Sequence, residues 1–266
     1  MEAPANSNEN PDNLIFIPHF KASVFPTNCS WIEPVACGEY PGNLRLDSRV
    51  ENDLNHLNQY LNEFTVLNWL ANHPRHLKRI SGFVHYRKTF NFDLQPDLWA
   101  KSYYYLEPNP SNLAYLQSGE QLKYLNLLLE KFDIVIPRAR NFGFSMKHHY
   151  IESHGEISWL VFVDVIRSLF PKYVRYMSYY EHGTSLHWLG IFVSRQQIFH
   201  QYCVEAAQLA IVLYERLKPI LIPTPSKRFE DYRIVAYLVE RFLPLFVLGN
   251  SLFYIDAPIV HLEQDA

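Results

Sequence analysis

The chain has 266 residues, a formal net charge of −3 and a hydrophobic fraction of 48%. Its length suffices for a substantial core in one large domain or two small ones, and it contains no run of Lys or Arg that would favour nucleic acid as the main partner. No segment approaches the roughly 20 apolar residues that cross a bilayer. Cys29, Cys37 and Cys203 have no metal-type spacing and indicate free thiols in a reducing compartment. We therefore expect a cytoplasmic protein, with peripheral contact at the inner membrane left open.

Residues 1–13 are polar and rich in Pro and Asn, which predicts a disordered tail before one folded domain over residues 14–262. A short apolar run over 14–18 predicts a buried first strand, and a loop is expected from there to about residue 53. Apolar residues then recur at steps of three and four over 54–71. That spacing predicts an amphipathic helix.

The rest of the chain alternates between predicted strands and helices. Strands are expected over 80–87, 132–137 and 188–193, helices over 157–170, 196–218 and 230–247, an irregular insertion over 91–120, and an extended tail over 252–260. This alternation predicts an α/β domain with a mainly parallel central sheet and flanking helices.

Basic side chains follow two of the predicted strands. His85, Arg87 and Lys88 end the strand over 80–87, and His19 and Lys21 follow the first strand. In open α/β sheets, ligands bind outside the carboxyl ends of strands. If these strands are neighbours, Lys21 and Arg87 would converge on one anion such as a diphosphate. The alternative is a basic, solvated strand end.

Three further groups are weaker candidates. Glu63, inside the predicted helix over 54–71, would act as a base or hold a sugar hydroxyl, the alternative being an exposed helix glutamate. The cluster of His148, His149 and His154 does not match a zinc spacing and is interpreted as structural or acceptor-contacting. Glu240 and Arg241 read first as an ion pair on a helix surface.

In order along the chain, these pieces resemble a family of bacterial capsular, exopolysaccharide and O-antigen glycosyltransferases, many first catalogued as a domain of unknown function. Six segments carry the resemblance: Ile-Phe-Ile-Pro-His-Phe-Lys over 15–21, Asn-Glu-Phe-Thr over 62–65, Gly-Phe-Val-His-Tyr-Arg-Lys over 82–88, Leu-Gly-Ile-Phe-Val over 189–193, Phe-His-Gln-Tyr-Cys over 199–203, and Arg-Ile-Val-Ala-Tyr-Leu-Val-Glu-Arg over 233–241.

The chain departs from the family pattern at several positions. The family's first histidine falls on Phe20, its second arginine after the tyrosine is Lys88, and its Asn-Met pair is residues 189–190. A glycine of the last helix is Ala236, and a frequent Asp is Ser158. These departures mark a divergent member.

The resemblance implies a GT-A-like, Rossmann-type single domain that transfers a hexose from a nucleotide-sugar donor, with a UDP-sugar favoured, to a glycan acceptor in surface polysaccharide biosynthesis. The segment around His85, Tyr86 and Arg87 takes the place of the usual Asp-x-Asp, so no divalent metal or other cofactor is expected. The implied roles are catalysis for His85, Arg87 and Glu63; donor binding for Lys21, His19, Tyr86 and Lys88; and acceptor binding for His154, Glu240 and Arg241.

Other outcomes stay open from the sequence. Inversion at the sugar would need a base, for which Glu63 and His154 are candidates, whereas retention would not, and Ser158 favours retention slightly. The partners expected are the donor and a glycan or lipid-linked glycan. The main alternative is a catalytically degenerate subunit of a polysaccharide assembly complex that binds nucleotide or glycan, and a pure scaffold is a third.

Overall fold

A computed structural model describes residues 12–21, 29–221 and 232–262. Twelve strands follow in chain order: β1 (Asn13–His19), β2 (Ile32–Ala36), β3 (Leu46–Asp47), β4 (Ile80–Phe83), β5 (Lys88–Phe90), β6 (Tyr103–Leu106), β7 (Ile134–Pro137), β8 (Arg140–Asn141), β9 (Ser185–Leu186), β10 (Phe192–Arg195), β11 (Tyr254–Ala257) and β12 (Ile259–Leu262). Residues 1–11 of the tail predicted over 1–13 lie outside the described residues, whereas Asn13 is the first residue of β1.

The α-helices of the described residues are α1 (Asn58–Leu61), α2 (Phe64–Asn72), α3 (Pro96–Trp99), α4 (Pro110–Leu116), α5 (Gly119–Lys131), α6 (Met146–His154), α7 (Glu156–Leu169), α8 (Ser178–His182), α9 (Gln196–Leu217), α10 (Ile234–Glu240) and α11 (Phe242–Gly249). Short 3₁₀ turns lie between several of them. No helix in the described ranges is long and apolar enough to cross a membrane.

A seven-stranded sheet organises the chain in the order β11-β7-β10-β4-β1-β2-β3. All neighbours pair parallel except β10, which runs antiparallel to both β4 and β7. The α/β class with a mainly parallel sheet and flanking helices is therefore confirmed. Because β1 and β4 are parallel neighbours, their carboxyl ends meet at one edge of the sheet.

Apolar side chains cover both faces of this sheet, since successive residues of a strand point to opposite sides. Phe16 of β1 packs in a cluster with α2, α7, α9, α10 and α11, whereas Ile15 and Ile17 join a second cluster with α5 and β12. Gly82 of β4 pairs with Val193 in the centre of the sheet. The two apolar layers hold the strand ends in fixed relation to each other.

Two smaller sheets flank the central one. One has the order β5-β12-β6, with β12 antiparallel to β5 and parallel to β6, and the other is the β8–β9 pair. The predicted extended tail is thus two strands, β11 in the central sheet and β12 in the smaller one. The first of them meets the turn after β4, because the Leu262 N–H of β12 donates to the Arg87 carbonyl.

Several sequence predictions need correction. The loop expected up to residue 53 contains β2 and β3, and β2 is fully buried beside β1. The expected irregular insertion over 91–120 contains α3, β6 and α4, because Pro96 and Pro110 stand at the first turns of α3 and α4, where proline is tolerated. The predicted strand over 80–87 ends at Phe83 and is followed by a turn.

Two predicted elements are broken near the site. The helix expected over 54–71 is interrupted at Asn62, and the helix over 230–247 divides at Arg241 into α10 and α11. The strand expected over 188–193 begins only at Phe192, because Leu189 and Gly190 have φ angles of 80° and 61°. The helices predicted over 157–170 and 196–218 are confirmed as α7 and α9.

Candidate functional site

A tight turn follows β4 and presents the basic residues of the site. The His85 N–H donates to the Lys88 carbonyl at 3.0 Å, and the Lys88 N–H donates to the His85 carbonyl at 3.2 Å. Tyr86 lies buried inside this turn, whereas Arg87 at its tip is exposed. The Leu262 N–H also donates to the Arg87 carbonyl at 2.8 Å, so β12 holds the tip in place.

Lys21 and Arg87 meet at the ring of Tyr86, as the hypothesis of neighbouring strands requires. Lys21 Nζ lies 5.7 Å and Arg87 Cζ 5.2 Å from the centre of that ring. Within the described part of the chain, neither cation forms an ion pair. Two exposed positive charges on one aromatic ring thus give a positively charged edge at the carboxyl ends of β1 and β4.

His19 also lies at this edge, but it adds no charge at neutral pH. Burial lowers the pKa of His19 to about 4, so the imidazole is neutral. Its ring centre lies 6.2 Å from both Tyr86 and Tyr40, and Phe20 meets Tyr86 edge to face at 5.2 Å. His19 and Phe20 thus position the Tyr86 ring, and His19 contributes no positive charge to this edge.

His85 is locked beneath the turn by two acceptors. Its Nδ1 lies 2.7 Å from Glu63 Oε1, and its Nε2 lies 2.9 Å from the Leu189 carbonyl oxygen. A carboxylate and a carbonyl only accept hydrogen bonds, so both ring nitrogens donate and the ring is an imidazolium. Burial opposes this charge, but Glu63 outweighs it and the pKa of His85 is raised.

Glu63 reaches His85 because the preceding residue breaks the helix. Asn62 has φ 50° and ψ −137°, a conformation that an L-residue seldom adopts. Its carbonyl is held by the Asn58 amide at 2.8 Å and the Thr65 hydroxyl at 3.0 Å. Glu63 therefore caps α2 as a buried residue, and the prediction that it lies inside a helix was wrong.

The carboxylate of Glu63 is ionised. Burial disfavours its charge, but the charge of His85 and the hydrogen bond to it prevail, so the pKa of Glu63 is lowered. Arg233 acts on it in the same direction. The buried pair is therefore charge-neutral as a unit, with its imidazolium on the side of the basic turn.

Glu240 packs against the loop that binds His85, and the pKa of its carboxyl group is shifted in the opposite direction from that of Glu63. A Cβ added to Gly190 would lie 3.6 Å from the Glu240 Cα, so α10 packs directly on the loop that binds His85. Within the described residues the Glu240 carboxylate has no hydrogen-bond or ion-pair partner. Burial raises its pKa, with His85 opposing and Glu63 adding to the shift.

Arg241 points away from Glu240, so the expected ion pair between them is absent from the described structure. Its guanidinium donates to the Tyr237 carbonyl at 2.7 Å and lies 4.6 Å from the Tyr150 ring centre. A further long contact of 3.4 Å joins it to His149 Nδ1. Buried and so enclosed, Arg241 joins α6 to α10.

His154 belongs to the same enclosed region as Arg241. Its ring stacks on Tyr237 at 4.3 Å and lies 4.9 Å from Tyr150. Its contacts connect α6 with α10, and no contact joins it to Lys21, Arg87 or His85 in the described ranges. The structure thus brings Lys21, Arg87, Tyr86, His85 and Glu63 together, and places His154 and Arg241 in a neighbouring cluster.

Lys88 faces a residue that the sequence reasoning did not single out. Its Nζ lies 5.3 Å from the centre of the Trp188 ring, and Arg140 Cζ lies 5.6 Å from the same ring. The chain is rich in aromatic residues, and this was the only sequence feature that could have pointed to Trp188. It does not distinguish Trp188 from the aromatic residues of the core. The Leu189 carbonyl gave no signal in the sequence at all.

The side chains that follow β4 are poor ligands for a divalent cation. His85, Tyr86 and Arg87 occupy the end of β4, and an imidazolium and a guanidinium repel a metal ion. Among the described residues there is no group of three His, Cys, Asp or Glu side chains arranged to hold one. Cys37 and Cys203 are buried free thiols.

The mainly parallel sheet with its flanking helices is an α/β fold, and it is consistent with a GT-A-like fold by structural similarity. The chain belongs to the family described as a domain of unknown function (DUF4422), whose model matches residues 19–251. The apo structure of the bifunctional glycosyltransferase WbbM has a similar fold, with a TM-score of 0.78 at 17% sequence identity. The match covers 95% of this chain and 45% of the WbbM chain. No curated protein matches the sequence.

Proposed function

We propose that the protein is a glycosyltransferase that moves a hexose from a nucleotide-sugar, preferentially a UDP-sugar, to a glycan acceptor of a bacterial surface polysaccharide. The observation that carries the proposal is the meeting of Lys21 and Arg87 at Tyr86. A diphosphate bound there would face two fixed cations. Fixed charge aimed at a leaving group is a large catalytic effect because it needs no reorganisation during the reaction.

The donor would lie along the carboxyl edge of β1 and β4. A cavity of about 530 Å³, lined among others by Phe20, Gly38 and Asn58, has room for the nucleoside, and Phe20 directly precedes Lys21 in the chain. As the bond between the sugar C1 and the diphosphate oxygen breaks, Arg87 and Lys21 would neutralise the diphosphate that departs. No divalent metal is needed for this step.

The buried pair would act by positioning. Both nitrogens of His85 are occupied and Glu63 is bound to it, so neither group is available to exchange a proton with a substrate. Their role would be to hold the turn and to add positive charge beneath it. Glu240, a carboxylate without such a partner, is the better candidate to accept the acceptor's hydroxyl proton.

The test is calorimetry with UDP, together with hydrolysis and transfer from a panel of UDP- and GDP-sugars with and without EDTA. Arg87→Ala removes a charge-assisted contact and is expected to weaken UDP binding about 10- to 100-fold and to abolish turnover. The matched control is Arg79→Ala, which removes an exposed arginine from the opposite end of the same strand.

The outcomes separate the candidate functions. EDTA-resistant turnover that depends on Arg87 and not on Arg79 supports a transferase that works without a metal. Activity lost to EDTA and restored by Mn²⁺ contradicts the metal-independent step. UDP binding without turnover for any donor favours a degenerate binding subunit, and absence of UDP binding favours a scaffold.

A further inference from the structure

A line of aromatic side chains extends away from the basic turn along the small sheet. Tyr103 and Tyr105 lie on the same face of β6, because residues two apart in a strand share a face. His261 of β12 pairs with Tyr105 in register, and its ring lies 5.6 Å from Tyr103 and 5.2 Å from Tyr105. Trp188 continues the line at 6.4 Å from His261. We call Trp188, His261, Tyr103 and Tyr105 the aromatic strip.

The strip begins at the proposed donor site. Trp188 is in contact with Lys88, the last residue of the turn that presents Arg87, and it precedes Leu189, whose carbonyl binds His85. The N–H of Leu262, next to His261, donates to the Arg87 carbonyl. A molecule lying on the strip would therefore have one end beside the diphosphate edge.

The outer end of the strip is open to solvent. Tyr105 is a large ring and is 58% exposed, whereas the other three residues of β6 are half-buried. Burial of this ring contributes little to the core, so its position is not explained by packing. The C–H groups of a sugar ring pack on aromatic faces, whose quadrupole is negative.

Positive charge lies along the same line. Arg140 Cζ lies 5.8 Å from the centre of the Tyr103 ring and 5.6 Å from the centre of the Trp188 ring. Lys88 Nζ also lies over the Trp188 ring. Arg140 is exposed and forms no ion pair with any described residue. Aromatic faces joined to cations fit a saccharide that carries negative charge better than a neutral one.

From these contacts we infer that the aromatic strip binds the acceptor as an anionic oligosaccharide, with its sugar rings on Tyr105, Tyr103 and Trp188 and a negative group beside Arg140. This role as the acceptor site rests on the proposed function. The negative group is either a uronic acid carboxylate or a phosphate ester, which share the chemistry that Arg140 recognises.

The test measures saccharide binding directly, without donor or turnover, by saturation-transfer NMR and calorimetry on the full chain. The probes are penta-galacturonic acid, maltopentaose phosphorylated at one 6-hydroxyl, and neutral maltopentaose. We expect both anionic probes to bind more tightly than the neutral one. Tyr105→Ala and Arg140→Gln should each weaken anionic binding about three- to tenfold.

Phe253→Ala is the matched control, since Phe253 is 62% exposed and precedes β11, at the amino-terminal end of the strand whose carboxyl end leads into β12. It should leave binding unchanged, and Tyr105→Ala should leave UDP affinity unchanged. A preference for one anionic probe identifies the source of the charge. Equal binding of neutral maltopentaose, no binding of any probe, or full binding by Tyr105→Ala would each overturn the inference.

The two proposals fail in different ways. If UDP does not bind but the anionic probes do, and Tyr105→Ala weakens them, then the strip is a glycan site in a protein that is not a UDP-sugar transferase. If UDP binds and donor hydrolysis occurs while the probes do not bind, the proposed function stands and the strip is not the acceptor site.

Discussion

His85 and Glu63 form a buried ion pair whose 2.7 Å hydrogen bond joins the basic turn after β4 to the start of α2. The second bond of His85, to the Leu189 carbonyl, ties the same ring to the loop before β10. One imidazolium thus connects three segments that are far apart in sequence. Loss of its charge would loosen all three at once.

The first prediction concerns the pH dependence of stability. The raised pKa of His85 gives a contribution that is complete below its ordinary value of about 6.5 and is lost as pH rises through the raised value. The lowered pKa of Glu63 gives a contribution that is present above about 4.5 and is lost as pH falls through the lowered value. The urea concentration at the unfolding midpoint should therefore be highest between pH 4.5 and 6.5, and it should decrease at lower and at higher pH.

Glu63→Gln leaves the buried imidazolium without its partner and should cost about 3–5 kcal/mol of unfolding free energy at pH 6. It should also flatten the dependence on pH. Urea unfolding of wild type, Glu63→Gln and the exposed control Glu152→Gln measures both effects. A Glu63→Gln protein as stable as wild type across the pH range would show that the pair does not carry this energy.

Asn62 is the subject of the second prediction. Its φ of 50° suits glycine, and no side-chain hydrogen bond of Asn62 appears in the described structure. Asn62→Gly should therefore be neutral or stabilise the fold, whereas Asn62→Ala should destabilise it by about 1–2 kcal/mol.

Thermal unfolding of both variants measures the difference, and UDP calorimetry on Asn62→Gly checks that Glu63 still reaches His85. Asn72→Ala, a change at the last residue of α2, serves as a control for the loss of an amide outside the break. An Asn62→Ala protein more stable than Asn62→Gly would contradict the strained conformation.

Glu240 provides the third prediction. Because burial raises the pKa of this carboxylate, the fraction ionised, and with it the turnover rate, should rise with pH through a value above the ordinary 4.5. Glu240→Gln should lower kcat at least 100-fold while UDP affinity changes less than about threefold.

The measurement is the pH profile of donor hydrolysis and transfer, with UDP calorimetry as the check on binding. Glu156→Gln, an exposed change at the start of α7, is the control. Full activity in Glu240→Gln would remove this residue from proton transfer. Loss of UDP binding in the same variant would assign it a structural role instead.

The fourth prediction tests the packing that holds the strand ends together. A Cβ on Gly82 would lie 2.8 Å from Val193 Cγ2 and 3.0 Å from Ile15 Cγ1, which is too close. Gly82→Ala should therefore destabilise the protein by about 1–3 kcal/mol.

Val193→Ala removes both γ-methyl groups that crowd this position, at 2.8 and 3.2 Å, and should leave a cavity that the new Cβ fills. In a double-mutant cycle the combined variant should then be more stable than the sum of the two single changes predicts. Strict additivity would mean that Val193 does not limit the space at Gly82 and that Ile15, the other close neighbour, does.

Much of the fold could be read from the sequence. Strands β1, β4 and β7 are marked by short apolar runs, and α9 is marked by a long periodic pattern. Both features are local, so they can be recognised directly in the sequence. Both β2 and α5 were missed. The first is a five-residue strand that includes a proline and lies in a stretch rich in turn residues. Burial of such a segment depends on which neighbours the chain brings to it.

For the site, the sequence by itself determined the chemical inventory: cations after two apolar strands, at Lys21 and Arg87, and a motif that resembles glycosyltransferases. Only the tertiary structure decided what these groups do to each other. It broke the helix at Asn62, paired Glu63 with His85 and placed Trp188 beside Lys88, and it gave the Glu240 carboxylate no partner among the residues that the structure describes. The physical reason is that charge state and partner depend on contacts across the fold. Residues 63, 85 and 189 meet because the sheet and α2 pack together, and no local pattern in the sequence encodes that meeting.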